Sequence, residues 1–194
     1  MRRASAALAA TIAVLAGCMG EDEPVIPLSQ GPRLVLQPAD LPALWSRFDV
    51  GRQVLADAPG GSRADTARFG RRGGWKARYR RPGSTTTTGP LVIESRADLF
   101  ESAEGARADL EAIADDLAQT LAGAERLDDP DLGDEAIAAT SVEGAVRRYL
   151  VAWRERNVSA WILVNGFRRG LQWEDALEIS RKQQKRIAAA VSTS

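Results

Sequence analysis

The stretch "VRRYLVAWRERNVSAWILVNGF", Val146 to Phe167, decides the fold. Apolar and aromatic residues predominate in both of its halves, and the residues "RERN" between them are polar. Two β-rich runs joined by such a short polar link are typical of an antiparallel hairpin. The sequence therefore predicts strands over 146–153 and 158–167, with Asn157 supplying the left-handed conformation that a tight connection needs.

A helix is predicted directly after this hairpin, over 173–191, with acidic residues near its start and basic residues later, as the helix dipole favours. The same order occurs earlier in the chain. Strands are predicted over 74–81 and 90–100, and a helix capped by Ser102 follows to about residue 122. The apolar stripe of that helix recurs at helical spacing, at Ala106, Leu110, Ile113, Leu117 and Leu121.

These patterns predict an α+β fold made of two β-hairpin-plus-helix units. A further strand over 135–142 brings the expected sheet to about five strands, twisted and antiparallel, with two long helices packed on it. A short N-terminal helix is also expected after Asp40. It would place four apolar side chains on one face, Leu41, Leu44, Trp45 and Phe48.

The N-terminus has the three parts of a secretory signal: the positive residues Arg2 and Arg3, an apolar run over 6–15, and small residues before Cys18. The motif "LAGC" that ends it resembles the lipobox of bacterial lipoproteins. That resemblance implies removal of a signal peptide over 1–17 and attachment of lipid, including palmitate, to Cys18. The alternative is an ordinary signal peptide with a chance cysteine.

By the same resemblance the chain would be held on the outer face of the cytoplasmic membrane through the lipid on Cys18. Residues 18–33 contain several prolines and little periodicity, which is typical of a flexible spacer. Residues 34–194 then form a single globular domain. The formal net charge is +0 and the pI is about 6.4, so the composition gives no reason to expect nucleic acid as a partner.

Enzyme chemistry finds little support in the composition. The chain has no histidine and only one cysteine, and it lacks nucleophile and cofactor motifs. We therefore expect no catalytic residue, no cofactor and no metal. The acidic motif "LGDEA" is predicted to be a structural turn, because Asp134 and Glu135 would point to opposite faces of an extended segment; a metal site there is the alternative.

Aromatic and arginine residues alternate on the predicted strands. One interpretation is a binding surface for an anionic or sugar-containing ligand. Its residues would be Trp75, Tyr79, Tyr149, Trp153, Trp161 and Arg154. In the alternative, the aromatic side chains face the helices and the arginines face water.

A broader resemblance rests on the order of "GWKARYRR", "GPLVIESRADLF", "LGDEA" and "YLVAWRERNVSAWILVNGF". This order is similar to that of uncharacterised lipoproteins of high-GC bacteria with a sensor-type or PsbP/Mog1-like domain. The resemblance implies an α/β sandwich that binds an envelope protein, a glycan or a lipid. Two other functions stay open: a carboxylate-dependent hydrolase or transferase acting on glycan, and a structural envelope protein that self-associates through a sheet edge.

Overall fold

One antiparallel sheet forms the centre of the computed structural model, which describes residues 25–53 and 69–192. The sheet has seven strands in this part of the chain, in the spatial order β1-β2-β3-β7-β6-β5-β4. Their bounds are Ser46–Arg52 (β1), Arg71–Arg80 (β2), Val92–Phe100 (β3), Glu125–Leu127 (β4), Glu135–Glu143 (β5), Val146–Glu155 (β6) and Val158–Phe167 (β7). The hairpin predicted from the opening stretch is confirmed as β6 and β7.

Helices cover both faces of the sheet. They are Gly31–Leu34 (α1), Ala103–Asp115 (α2), Leu117–Thr120 (α3) and Trp173–Val191 (α4). Helix α2 contacts β6, β7 and β3, and α4 contacts β6 and β7 from the opposite side. We refer to these sides as the α2 face and the α4 face. Short 3-10 turns at Leu28–Gln30 and Pro38–Asp40 complete the N-terminal segment.

The larger core lies on the α4 face, because alternate strand residues point toward α4 and the N-terminal segment. Its strand members include Tyr79, Ile93, Ala97, Val151, Trp153, Ile162 and Val164. Ile179 and Ile187 of α4 pack against them. The smaller core lies on the α2 face, where the predicted helical stripe meets strand residues Ala139, Leu150, Ala152 and Trp161.

The N-terminal segment is part of the folded body from Ile26 onward. The Asn157 side chain accepts a hydrogen bond from Ile26 N at 2.8 Å and donates to Ile26 O at 3.1 Å. Farther along, Tyr79 Oη donates to Leu36 O at 2.8 Å. Residues 25–33, part of the predicted spacer over 18–33, therefore pack on the domain, whereas residues 1–24 with Cys18 lie outside the described residues.

The predicted sheet of about five strands with two long helices is wrong. Seven strands and four helices occur in residues 25–53 and 69–192, and α4 is the one long helix there. In place of the expected short helix after Asp40, Leu41 is followed by a turn, in which Trp45 N donates to Pro42 O at 3.1 Å, and then by β1. Leu41 is extended, with φ −118° and ψ 150°, because Pro42 follows it and disfavours the helical conformation.

Two further elements differ from the prediction, the helix after Ser102 and the edge strand β4. The predicted helix over 102–122 breaks into α2 and α3 at Asp116, where φ is −87° and ψ is 11°. Adjacent aspartates favour such a break because their side chains compete for backbone hydrogen bonds. The three-residue strand β4 on the sheet edge is too short to show a periodic pattern. The predicted cap is confirmed, since Ser102 Oγ accepts a hydrogen bond from Gly105 N.

Candidate functional site

Three of the aromatic residues predicted as a binding surface belong to the core. Trp153 and Tyr79 are 0% and 1% exposed, and Tyr149 is also buried. All three side chains lie on the α4 face, in the cluster that packs against the N-terminal segment and α4. The alternative interpretation, in which the aromatic side chains face the helices, describes their positions.

The other two predicted aromatic residues differ from these: Trp161 belongs to the core on the opposite face, and Trp75 packs against the same α4-face cluster but is only partly buried. Trp161 is buried on the α2 face, with the Arg96 guanidinium carbon 4.6 Å from its ring centroid. Trp75 is half-buried and packs so closely on Gly31 that a Cβ built there would lie 2.7 Å from Trp75 Cε3. The predicted set is therefore divided between two faces and forms no common exposed surface.

Arg154, the remaining predicted residue, holds the "LGDEA" turn. Its Nη1 donates to Asp134 Oδ2 and its Nη2 donates to Glu135 Oε1, both at 2.8 Å. The prediction that these two carboxylates would not converge is wrong, because Asp134 precedes β5 and the alternation of strand side chains does not apply to it. The hydrogen bond from Arg154 lowers the pKa of Glu135. The arrangement joins the start of β5 to the β6–β7 hairpin.

Gly133 gives a first test of this turn. A Cβ built there would lie 2.1 Å from Arg154 O, and its φ is +59°. We expect Gly133→Ala to lower the free energy of unfolding by about 2 kcal/mol, through backbone strain and displacement of the hairpin. Gly144 has the same φ of +59° and open space around it, so Gly144→Ala should cost only about 1 kcal/mol. Urea denaturation measures both; equal losses would contradict the close approach.

A network of ion pairs crosses the α2 face near the β1 edge. Glu94 accepts hydrogen bonds from Arg78 Nε at 2.8 Å and from Arg96 Nε at 2.5 Å. Asp49 lies 3.1 Å from Lys76 Nζ and 3.4 Å from Arg78 Nη1. Each cation of this network has a carboxylate partner, so the network holds the strands together and leaves little charge for a ligand.

An open cleft of about 430 Å³ lies on the α4 face, beside the N-terminal half of α4. We call it the Trp45 cleft. It is formed by the residues before β1, the β2–β3 loop, the β7–α4 loop and α4 itself. Its polar and aromatic lining residues are Trp45, Arg81, Thr88, Arg169, Gln172, Asp175, Glu178 and Lys182.

The loops around this cleft are fixed by backbone hydrogen bonds. Gly89 N donates to Gly170 O at 2.8 Å, which joins the β2–β3 loop to the β7–α4 loop. Arg81 Nε donates to Pro90 O at 2.6 Å, and its Nη2 donates to Thr88 O. The Arg81 guanidinium also lies 5.4 Å from the Trp45 ring centroid. Arg81 is therefore held in place before any ligand arrives.

In the Trp45 cleft the carboxylates have hydrogen-bond or ion-pair partners, whereas the two arginines have no carboxylate partner among the described residues. Asp175 accepts a hydrogen bond from Gln172 N at 2.8 Å and so caps α4, and Glu178 forms an ion pair with Lys182 at 2.9 Å. Arg81 and Arg169 have no carboxylate within ion-pair distance in the part of the chain that the structure describes. The two arginines thus give the cleft an excess of positive charge.

A second groove, of about 440 Å³, lies along the C-terminal half of α4. We call it the Arg33 groove. It is lined by Gln30, Arg33, Asp40, Lys182, Lys185, Arg186, Ala189 and Ala190. Asp40 accepts two hydrogen bonds from Arg186, at 2.5 Å from Nε and 2.9 Å from Nη2. This pair fastens the N-terminal segment to α4.

The Asp40–Arg186 pair predicts a pH dependence of stability. Burial raises the pKa of Asp40, but its hydrogen bonds with Arg186 and Gln37 lower it more, so the pKa lies below its ordinary value of 3.8. A lowered folded-state pKa stabilises the fold above the unfolded-state pKa, and this contribution is lost as the pH falls through the folded-state value. We expect Asp40→Asn to reduce the dependence of unfolding free energy on pH between about pH 5 and 2. Identical profiles for the two proteins, measured by urea denaturation, would contradict this.

Neither a metal site nor a membrane-spanning helix is found in residues 25–53 and 69–192. No group of three or more histidine, cysteine, aspartate or glutamate side chains there is arranged to hold a metal ion. Within the same residues, no helix is both long and apolar enough to cross a membrane.

Comparison with known proteins gives a structural likeness. No family model matches the chain, and no curated protein matches it significantly. The fold is similar to the crystal structure of the extracellular domain of PknH from Mycobacterium tuberculosis, with a TM-score of 0.63. The likeness covers 86% of this chain and 99% of that chain at 11% sequence identity. What the two share is the fold.

The residues of the Trp45 cleft come from four separate segments, and no sequence pattern groups them. Trp45 takes part in the spacing that wrongly predicts a helix, and Lys182 is one of several basic residues on α4. Arg81 and Arg169 lie in clusters of arginines that look alike in sequence. The one available signal is that Arg81 is the last residue of one predicted strand and Arg169 closely follows another, where loops meet at a sheet end.

Proposed function

We propose that this chain is an extracytoplasmic binding domain, anchored by lipid on Cys18, whose Trp45 cleft takes an anionic envelope ligand. The observation that carries the proposal is the pair of arginines, Arg81 and Arg169, that line the cleft without a carboxylate partner in the described residues. Arginine suits phosphate and carboxylate groups because its guanidinium presents several donors in a fixed plane.

The fixed position of Arg81 supports the same proposal. Its contacts with Pro90 O and Thr88 O leave the guanidinium oriented, so less conformational entropy is lost when a ligand binds. The similarity in fold to an extracellular domain supports the proposed location outside the cytoplasm. The signal-like N-terminus and Cys18 support the anchor.

The cleft gives less support to a carboxylate-dependent hydrolase or transferase. Such chemistry uses two carboxyl groups on opposite sides of a substrate. Asp175 and Glu178 both belong to α4 and lie three residues apart, on the same side of the cleft. Both are also engaged, one in the helix cap and one with Lys182.

A comparison of two adjacent arginines tests the proposal. Arg169 lines the cleft, whereas Arg168 is exposed beside it and does not. Isothermal titration calorimetry would use the lipidated chain in neutral detergent with pyrophosphate and with an oligogalacturonate as probes. Loss of a charge-assisted contact predicts that Arg169→Glu weakens binding roughly tenfold or more.

Arg168→Glu changes the net charge equally, so it should reduce affinity by roughly twofold at most once salt screens the long-range field. No binding of either anionic probe by the unaltered chain would overturn the proposal. Equal losses for the two variants would also overturn it, because the effect would then come from net charge and not from the cleft.

A further inference from the structure

We propose that the Arg33 groove docks onto anionic phospholipid headgroups of the membrane that holds the chain. The inference rests on the lipid anchor of the proposed function, but it concerns a different surface from the ligand cleft. It assigns the C-terminal half of α4 to the membrane and leaves the Trp45 cleft, beside the N-terminal half, open to the envelope.

The charges of the groove are suited to a lipid phosphate. Asp40 is fully engaged by Arg186. Arg33 and Lys185 are exposed, and neither has a carboxylate partner within residues 25–53 and 69–192. The two cations stand on opposite walls, one on α1 and one on α4. Ala189 and Ala190 provide small apolar lining on which a glycerol moiety could rest.

The short distance between the lipid anchor and the Arg33 groove favours a membrane over other anionic partners. Ile26 is fixed to the folded body, because Asn157 holds both its N–H and its carbonyl. Cys18 precedes Ile26 by eight residues, and eight residues span at most about 28 Å when fully extended. Gln30, only four residues beyond Ile26, already lines the groove. Lipid on Cys18 would therefore keep the groove close to the bilayer surface.

Because the chain is already tethered by lipid, a weak affinity of the Arg33 groove for headgroups is sufficient to orient the domain. Each lysine or arginine near an anionic membrane surface strengthens partitioning roughly fivefold, so Arg33 and Lys185 together would contribute roughly twenty- to thirtyfold. That is too little to hold a free protein on a membrane. For a body already tethered, the effective headgroup concentration is high, and the same factor is enough to orient it.

A single introduced thiol can report the orientation, because Cys18 is the only cysteine of the chain. The lipidated full chain would be reconstituted into vesicles of phosphatidylcholine, with or without phosphatidylglycerol, that contain a headgroup-attached spin-label quencher. A fluorophore would be placed at Ala189→Cys in the groove, or at Ala118→Cys, an exposed position on α3 over the α2 face.

We expect quenching at position 189 to rise roughly twofold or more when phosphatidylglycerol is present, and to fall again at high salt. Quenching at position 118 should not depend on the lipid. Arg33→Glu with Lys185→Glu should remove the phosphatidylglycerol effect. Arg126→Glu with Arg168→Glu makes the same change in net charge at exposed sites outside the groove and should preserve it.

Quenching at position 189 that does not respond to phosphatidylglycerol would overturn the docking, as would equal loss in the two double variants. The number of labels per chain separates this outcome from failure of the anchor. One label shows that Cys18 is blocked by lipid. Two labels show a free Cys18 thiol, which would overturn the anchor and the docking that depends on it.

Discussion

Trp153→Ala is expected to lower the free energy of unfolding by about 3–5 kcal/mol, the range for removing a large aromatic side chain from a core. Trp153 is 0% exposed and is among the largest fully buried side chains of the described chain. It lies on β6, at the centre of the hairpin that decides the fold, and packs in the cluster beneath the N-terminal segment and α4. Removing it leaves a cavity that the closely packed neighbours cannot fill.

Trp153→Phe is the informative companion to this variant. The indole Nε1 is buried with no hydrogen-bond partner in the described residues, and such an unsatisfied donor destabilises a fold by about 1–3 kcal/mol. Phenylalanine removes that donor while it keeps much of the apolar volume. We therefore expect Trp153→Phe to cost less than about 1.5 kcal/mol. Equal losses for the two variants in urea denaturation would contradict the account of Trp153 Nε1 as an unsatisfied donor.

Asn157→Ala is expected to lower the free energy of unfolding by about 3–4 kcal/mol, because it leaves several buried backbone groups without partners. Asn157 is 2% exposed, and its side chain bonds both polar groups of the Ile26 backbone and also Phe100 O, at 2.9 Å. Its loss should also release the first residues of the body, which limited proteolysis would detect as early cleavage before Leu36.

Asn157→Asp tests the direction of these hydrogen bonds. A carboxylate would face Ile26 O and Phe100 O, where the amide nitrogen now donates, so oxygen atoms would oppose one another. We expect this variant to be at least as unstable as Asn157→Ala at neutral pH and to recover stability as the carboxyl is protonated at lower pH. Gln119→Ala, at an exposed position, should change stability by about 0.5 kcal/mol or less. A pH-independent Asn157→Asp deficit would contradict the assigned hydrogen bonds.

The central strands could be predicted from sequence because their residue types and their short link follow the local pattern of a β-hairpin. The runs on either side of "RERN" are long, apolar and aromatic, and their short link leaves few alternatives to a hairpin. The conformation of the link itself could not be predicted from local sequence. Arg156, not Asn157, takes the left-handed conformation, with φ 51°, while the Asn157 side chain turns inward to hold Ile26. The two residues in that contact are 131 positions apart, so no local sequence pattern predicts it.

The edge strand β1 could not be predicted, because the spacing of apolar residues there matches a different structure. The spacing of Leu41, Leu44, Trp45 and Phe48 matches a helix, but Leu44 and Phe48 are 69% and 47% exposed in the structure. The side chains of β1 are exposed along most of the strand, so burial imposes no period-two pattern of apolar residues on it. Pro42 was the local signal against a helix, and its effect on Leu41 outweighed the apparent periodicity.

The candidate sites were less predictable than the fold. Side chains chosen for their chemistry, such as Trp153 and Tyr79, proved to be core residues, because large aromatic side chains stabilise a domain whose sequence has no cysteine to form a disulfide. The Trp45 cleft and the Arg33 groove depend instead on which loops the sheet order brings next to α4. That order places β3 beside β7, a pairing between strands far apart in the chain.

Attachment at Cys18 underlies both the proposed location and the orientation of the Arg33 groove, and intact-protein mass spectrometry of the chain isolated from its native membrane tests it most directly. We predict a polypeptide that begins at Cys18 and carries the added mass of a diacylglyceryl group and an N-acyl chain. Cys18→Ser should lack both additions and keep residues 1–17. A native chain that retains its first 17 residues, or has an unmodified thiol at Cys18, would contradict the anchor.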